Sequence, residues 1–236
     1  MPLKLFTPLL AGANLRDRSI ACIGALVGLC LTGLVCAHLG GEPQALPLLV
    51  APIGASAVLL FAVPASPLAQ PWSIVGGNVV SALVGVTVAR LVSDPMIAAG
   101  VAVAGAIFAM SLLRCLHPPG GAAALTAVIG GPAIAAAGYG FALVPIGLNS
   151  MILVGLGWLF HRVSGHSYPH RAAPVAPAPV TVSAAPGLSI EDIDLALVEM
   201  GETFDVSRED LDALFRKAEA NAAIRLGRDG PGDYVI

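Results

Sequence analysis

The sequence predicts an all-α, polytopic membrane protein: a helical bundle of six spans, built as two inverted three-helix repeats with broken helices, plus a small cytosolic helical hairpin. Three observations predict it. Hydrophobic residues make up 56% of the 236 and charged ones 11%, against roughly 25% charged in a soluble domain. Several apolar runs approach the ~20 residues that carry a helix across a bilayer. The charges are also segregated. Residues 1–171 hold seven basic and three acidic side chains, and residues 172–236 hold five basic and twelve acidic. The front is therefore +4 and the tail −7, giving the net −3.

In chain order, Lys4, Arg16 and Arg18 precede an apolar run at 19–38. It is too long for a cleaved leader and is followed by further runs, so it reads as a retained span. Gly24 and Gly28 form a small-xxx-small pair in it, suited to helix packing. The second run, 46–62, is broken by Pro47, Pro52 and Gly54. Runs at 73–92 and 96–113 are uninterrupted by proline. The fifth, 119–137, opens on Pro118-Pro119-Gly120-Gly121 and stops before Pro132. The sixth covers 143–161. Proline removes a backbone donor and disfavours helix in the residue before it. Carbonyls freed inside hydrocarbon must be met by protein or by a wet cavity, so broken spans mark a binding path rather than a lipid-facing wall.

With six spans both termini share one side, and the surplus of Lys and Arg near them places that side in the cytoplasm of an inner (plasma) membrane. Arg114 then lies inside and Arg90 is the exception. A four-span version, with runs two and five re-entrant, exchanges those two arginines, and the charge count fits both.

Three domains follow: a transmembrane domain at 1–165, a Pro/Ala-rich linker at 166–188, and an acidic hairpin at 189–236. Ser189 is positioned to cap one helix and Gly201 to end it. Ser207-Arg208-Glu209-Asp210 opens a second helix, with Leu211, Leu214 and Phe215 on one face. Two such helices bury little by themselves and are expected to dock on each other, on another subunit or on the membrane domain.

The halves of the membrane region resemble each other. Pro52-Ile-Gly54-Ala55-Ser56-Ala57 aligns with Pro119-Gly-Gly121-Ala122-Ala123-Ala124 at an offset of 67 residues. Asn78, ahead of Leu83-Val84-Gly85, aligns with Asn149, ahead of Leu153-Val154-Gly155, allowing one gap. Three spans per half is odd, so the second half enters from the opposite face, as in transporters that hold substrate between broken helices. Short helices starting in the membrane aim free N–H groups and a partial positive charge inward. The starts near Gly54, Ala55 and Ser56 and near Gly120, Gly121 and Ala122 therefore suit a small anion. Asn78, Asn149 and His117 add polar contacts, and Arg114 and Gln70 are candidate access or gating residues. Each has a structural alternative: helix bonding for the asparagines, a turn for His117 and Gln70, headgroup snorkelling for Arg114.

Arg114-Cys115-Leu116-His117-Pro118-Pro119-Gly120-Gly121-Ala122 is the most specific string in the chain. It resembles the HPP family of integral membrane proteins, named for the His-Pro-Pro triplet. Gly54-Ala-Ser-Ala-Val-Leu-Leu-Phe61, Pro64-Ala-Ser-Pro67-Leu-Ala-Gln70-Pro71 and Gly76-Gly77-Asn78 look like other signature stretches of that family, and the likeness covers about residues 15–162. The family is often described with four spans. Some members continue into a pair of CBS domains, and this chain ends before such a pair, as a short form or a truncation. Plant and cyanobacterial members are linked to nitrite transport, which implies an anion-transport role here.

No carboxylate stands inside a span, which argues against proton-coupled cation transport. No phosphate-binding loop, zinc spacing or nucleophile–base pair is visible, so neither an enzyme nor a cofactor or metal is expected. Cys22, Cys30, Cys36 and Cys115 read as small hydrophobes, and His161, His166 and His170 as interfacial. The acidic tail speaks against nucleic acid. The expected partners are the lipid bilayer, a small inorganic anion such as nitrite, and further copies of the chain, since glycine-rich spans pack closely. The alternative function is a membrane sensor or scaffold signalling through the hairpin.

Overall fold

Among the described residues, four helices are long and apolar enough to cross a membrane, and two shorter apolar helices lie between them. The structure, a computed structural model, describes residues 15–39, 49–171, 190–200 and 206–228. Lys4, Glu42, Pro47, Ser189, Gly201 and the Pro/Ala stretch from 172 lie outside the described residues. The chain divides into two compact units, Met1–His170 and Arg171–Ile236.

In the first unit the long helices are α1 (Leu15–Leu39), α3 (Pro71–Leu91), α4 (Pro95–Leu112) and α7 (Leu148–Ser164). The turn at Ala142–Gly147 extends the last to 23 residues. The short ones are α2 (Ala51–Ala62) and α5 (Pro118–Ile129), 12 residues each, with α6 (Pro132–Ala137) after α5. A 12-residue helix is about 18 Å long, well short of a ~30 Å hydrocarbon core.

Local sequence sets these breaks. The fifth predicted run is two helices, because Gly131 sits at φ 88°, a conformation closed to most residues, directly before Pro132. The sixth begins irregularly because Val144 precedes Pro145 and leaves the helical region (φ −134°, ψ 117°). Asp94 caps α4, accepting from the Met96 and Ile97 amides, each at 2.9 Å. Gly165, at φ 82°, ends α7.

The core of this unit runs between α2, α3, α5 and α7, with Ile53, Leu60, Ile74, Phe141, Ile146 and Leu153 buried in it. α3 is the central element and packs most extensively on α5 and α4. Much of the outer surface is apolar, including Ile23, Leu26, Ile97, Phe108, Met151 and Leu159, the surface a bilayer accepts. Gly24 and Gly28 face inward: a Cβ on either would press on Phe61, and one on Gly24 on Phe160 as well. Their small-xxx-small pair is thus used within the chain. Arg90, the exception to the charge rule in the six-span version, lies over the Tyr139 ring at 4.6 Å.

The second unit pairs α8 (Ile190–Met200) with α9 (Arg208–Arg228). Ser207 caps α9 as expected, its Oγ accepting from the Asp210 amide at 3.1 Å and donating to the Asp210 carboxylate at 2.6 Å. Arg208 pairs with Asp194 at 3.0 Å, and Ile193 is buried. The expected apolar face of α9 stays open: Leu214 is 60% exposed and Phe215 38%.

Candidate functional site

Neutral polar side chains gather in the interior of the first unit. Ser56 of α2, Asn78 and Ser81 of α3, His117 at the start of α5, and Asn149 and Ser150 of α7 are all fully buried. Helical spacing selects them: residues three or four apart share a face, so Asn78 and Ser81 lie on one side of α3.

Bond polarity can be assigned from the groups alone. The Leu68 carbonyl, 2.8 Å from His117 Nδ1, can only accept, so Nδ1 carries the proton. In the neutral ring Nε2 is then an acceptor, and the Ser56 hydroxyl 2.8 Å away donates to it. Ser56 Oγ in turn accepts from Asn78 Nδ2 at 3.1 Å, and the second Asn78 proton goes to Ser150 Oγ, also at 3.1 Å. A continuous relay results, from Ser150 through Asn78, Ser56 and His117 to the Leu68 backbone. Ser56 has a second acceptor within reach, the Pro52 carbonyl at 3.0 Å. Among the described residues, Asn78 Oδ1 and Ser81 Oγ are buried without a partner, a costly state that ordinarily signals a function or a missing ligand.

The relay is held by close packing. A Cβ at Gly77 would lie 2.6 Å from His117 Cβ and 2.7 Å from the Cys115 carbonyl. One at Gly120 would lie 2.6 Å from Ser81 Oγ and 2.9 Å from the Gly77 carbonyl. Gly77, Ser81 and Gly85 thus form a seam four residues apart along α3 that receives α5.

The 3-10 turn Pro67–Ala69 is fixed from three sides. Its consecutive carbonyls accept from Ser73 Oγ (2.9 Å), His117 Nδ1 (2.8 Å) and the Tyr168 hydroxyl (3.0 Å). Tyr168 follows α7, and burial pushes its phenol above the ordinary range. Gln70 is a staple of the same loop: its amide donates to the Pro64 and Ser66 carbonyls and accepts from the His170 amide at 2.9 Å.

The sequence-predicted residues therefore separate. Ser56, Asn78 and His117 come together. Asn149 is equally buried but turns its amide to Cys36 Sγ at 3.0 Å. Gly120 abuts Ser81, and Gly121 looks toward Val103. Gly54 has open space where a Cβ would stand, and Ala55 and Ala122 are exposed. These three lie on the open sides of their helices and do not line the interior cluster. Arg114 is exposed and occupies the left-handed region at φ 52°. Its amide bonds Ser111 O at 3.2 Å and the Cys115 amide bonds Met110 O at 2.9 Å, the double closure that ends many helices.

Two expectations need correction. The helix starts are poor donors. In α5, Pro118 and Pro119 have no N–H and the Gly120 amide is taken by the His117 carbonyl at 2.8 Å. In α2, Pro52 has none and the Ile53 amide bonds Val50 O at 3.0 Å. Side chains, rather than helix-end amides, supply the site's free polarity. Second, a serine–imidazole contact does exist, between residues 61 apart. His161 is also buried in the protein, donating to Leu60 O at 2.8 Å.

Sequence reasoning missed Ser81, Ser150 and the Leu68 carbonyl. The Gly77/Ser81/Gly85 spacing was a legible signal for the first, and Ser150 stood beside a residue already singled out. Nothing local pointed to Leu68.

The family described as "HPP, transmembrane region" matches residues 11–169. Two proteins of Dictyostelium discoideum, each named only as a transmembrane protein, are similar. One is 32% identical over 146 residues, covering 60% of this chain and 46% of its own length. The other is 39% identical over 110 residues, covering 45% and 38%. The chain thus spans less than half the length of these relatives. No solved structure gives a significant match.

Proposed function

The chain belongs to the HPP transmembrane family, and from that premise we propose that it is a transporter for a small inorganic anion. Nitrite is the first candidate, on the family resemblance alone. The observation that carries the reading is the buried cluster of Ser56, Asn78, Ser81, His117 and Ser150, with two oxygens unpaired. The Ser81 hydroxyl is a buried donor without a partner among the described residues. Helices α2 to α7 contain no Asp or Glu, so no fixed negative charge opposes an anion there.

Transport fits this arrangement better than open conduction. Ser81 lies where α5 leaves no room for a Cβ at Gly120, so an anion reaches it only when α5 shifts against α3. The pattern of a long helix, a 12-residue helix with proline in its first turn, and a long helix occurs twice. That supports two related halves, inverted, with α2 and α5 as half-spans and both termini on the cytoplasmic face of an inner membrane. We read the Ser56–His117 contact as a relay rather than as nucleophile and base, since both groups are fully buried and the serine oxygen already accepts from Asn78. A second reading, a sensor or scaffold, draws on the exposed Leu214 and Phe215 of α9.

Liposomes holding the purified protein test the first reading. Nitrite or nitrate should enter faster than into empty liposomes, and Asn78→Leu and His117→Ala should each reduce the excess about tenfold or more, since a relay bond lost in a buried site costs roughly 1–3 kcal/mol. Asn149→Leu should reduce it less. Wild-type fluxes equal to those of empty liposomes overturn the reading.

A further inference from the structure

We propose that His117 carries a proton together with the anion, so that the two cross as a neutral pair. The inference rests on the anion-transport reading and deepens it.

The geometry around Ser56 is the reason. In the neutral state Ser56 donates to His117 Nε2 at 2.8 Å. When a proton from the aqueous side binds Nε2, that contact reverses: Nε2–H donates to Ser56 Oγ. The displaced serine hydrogen has an acceptor ready, the Pro52 carbonyl at 3.0 Å. Asn78 Nδ2 continues to donate to the second lone pair of Ser56, and Nδ1–H stays on the Leu68 carbonyl. Both protonation states therefore satisfy every hydrogen of the ring and the serine, with no heavy atom moved. A histidine serving only to hold a turn would need one of these states, not both.

What the protonated state lacks is a counter-charge. The elements packed round His117 offer none. α2 has no titratable side chain. α3 has only Arg90, engaged by Tyr139. α4 has none, and the turn after it gives exposed Arg114 and buried Cys115. α7 gives His161, bonded to Leu60 O, and Arg162 over Trp158. The following segment gives Tyr168, bonded to Ala69 O, His166 beside Ser164, and then His170 and Arg171. No carboxylate is among them. A buried imidazolium without a partner is strongly disfavoured, so protonation requires an anion alongside it. The anion in turn meets a positive charge only when His117 is protonated. Each species makes the other's binding favourable, and the proton returns to solution from Nε2 when the anion leaves.

The test uses full-length protein in liposomes with an entrapped pH dye, and potassium with valinomycin to clamp the membrane potential. Nitrite is added outside, with nitrate in a parallel series. The expected result is acidification of the lumen in step with anion influx, above empty liposomes and insensitive to the clamped potential. A gradient of about one pH unit should then concentrate the anion about tenfold. His117→Gln, which keeps a hydrogen-bonding amide but takes no proton, should lose the acidification. Ser56→Ala, which removes the reversible hydroxyl, should slow it. Anion influx without acidification, or influx that follows the potential, overturns the coupling and leaves the anion reading intact. No influx above empty liposomes overturns both.

Discussion

Gly77→Ala tests whether the seam between α3 and α5 positions the relay. The added Cβ would meet His117 Cβ at 2.6 Å and the Cys115 carbonyl at 2.7 Å. Neither atom is the end of a flexible side chain, so no rotamer change relieves the overlap. Restoring the tightest ordinary separation, 3.4 Å, moves the His-Pro-Pro segment about 0.8 Å off α3. Overpacking of this kind costs about 1–3 kcal/mol, against a gain of about 1 kcal/mol from replacing glycine in a helix. The net expectation is a loss of up to about 2 kcal/mol. Gly54→Ala and Gly100→Ala are the controls, since a Cβ at either meets nothing within 4 Å. Both should gain about 0.5–1 kcal/mol from the same helix term. Unfolding in mixed SDS micelles, followed by tryptophan fluorescence, measures all three. The shift should also lengthen the Ser56–His117 bond and reduce anion flux. If Gly77→Ala proves as stable as Gly54→Ala, the seam does not hold His117 as described, and the relay loses its support.

Other perturbations separate structural from functional roles. Arg114→Gly should stabilise by about 0.5–1 kcal/mol, because glycine suits the left-handed position at φ 52°. If flux also stays at the wild-type level, Arg114 does not serve anion access. Tyr168→Phe leaves the Ala69 carbonyl without its partner and should cost about 1–2 kcal/mol. The phenol's folded pKa is raised above its unfolded value by burial, so its stabilising contribution is complete below about pH 10 and declines progressively as the pH rises from there toward the folded pKa. Melting temperatures at about pH 8 to 11 should fall for wild type and stay flatter for Tyr168→Phe; parallel slopes refute the assignment.

The amino-acid sequence made the membrane class, the two breaks, the family and the capping of α9 legible. These rest on composition, on proline and glycine chemistry and on short-range bonds, all of which act between near neighbours in the chain. It also picked out Ser56, Asn78 and His117 as polar residues in apolar runs, since a buried polar group always needs a reason. Tertiary structure alone decided which of them meet. Ser56 reaches His117 across 61 residues, Asn78 reaches Ser150 across 72, and His117 reaches Leu68 across 49. Hydrogen bonds are directional and end within about 3.2 Å, so a helix rotation that sequence periodicity does not fix to better than a residue decides who bonds to whom. The same rotation turned Ala55 and Ala122 outward. The prolines that made the helix starts legible also removed their donors, so the polarity expected at those ends resides instead in side chains four helices bring together.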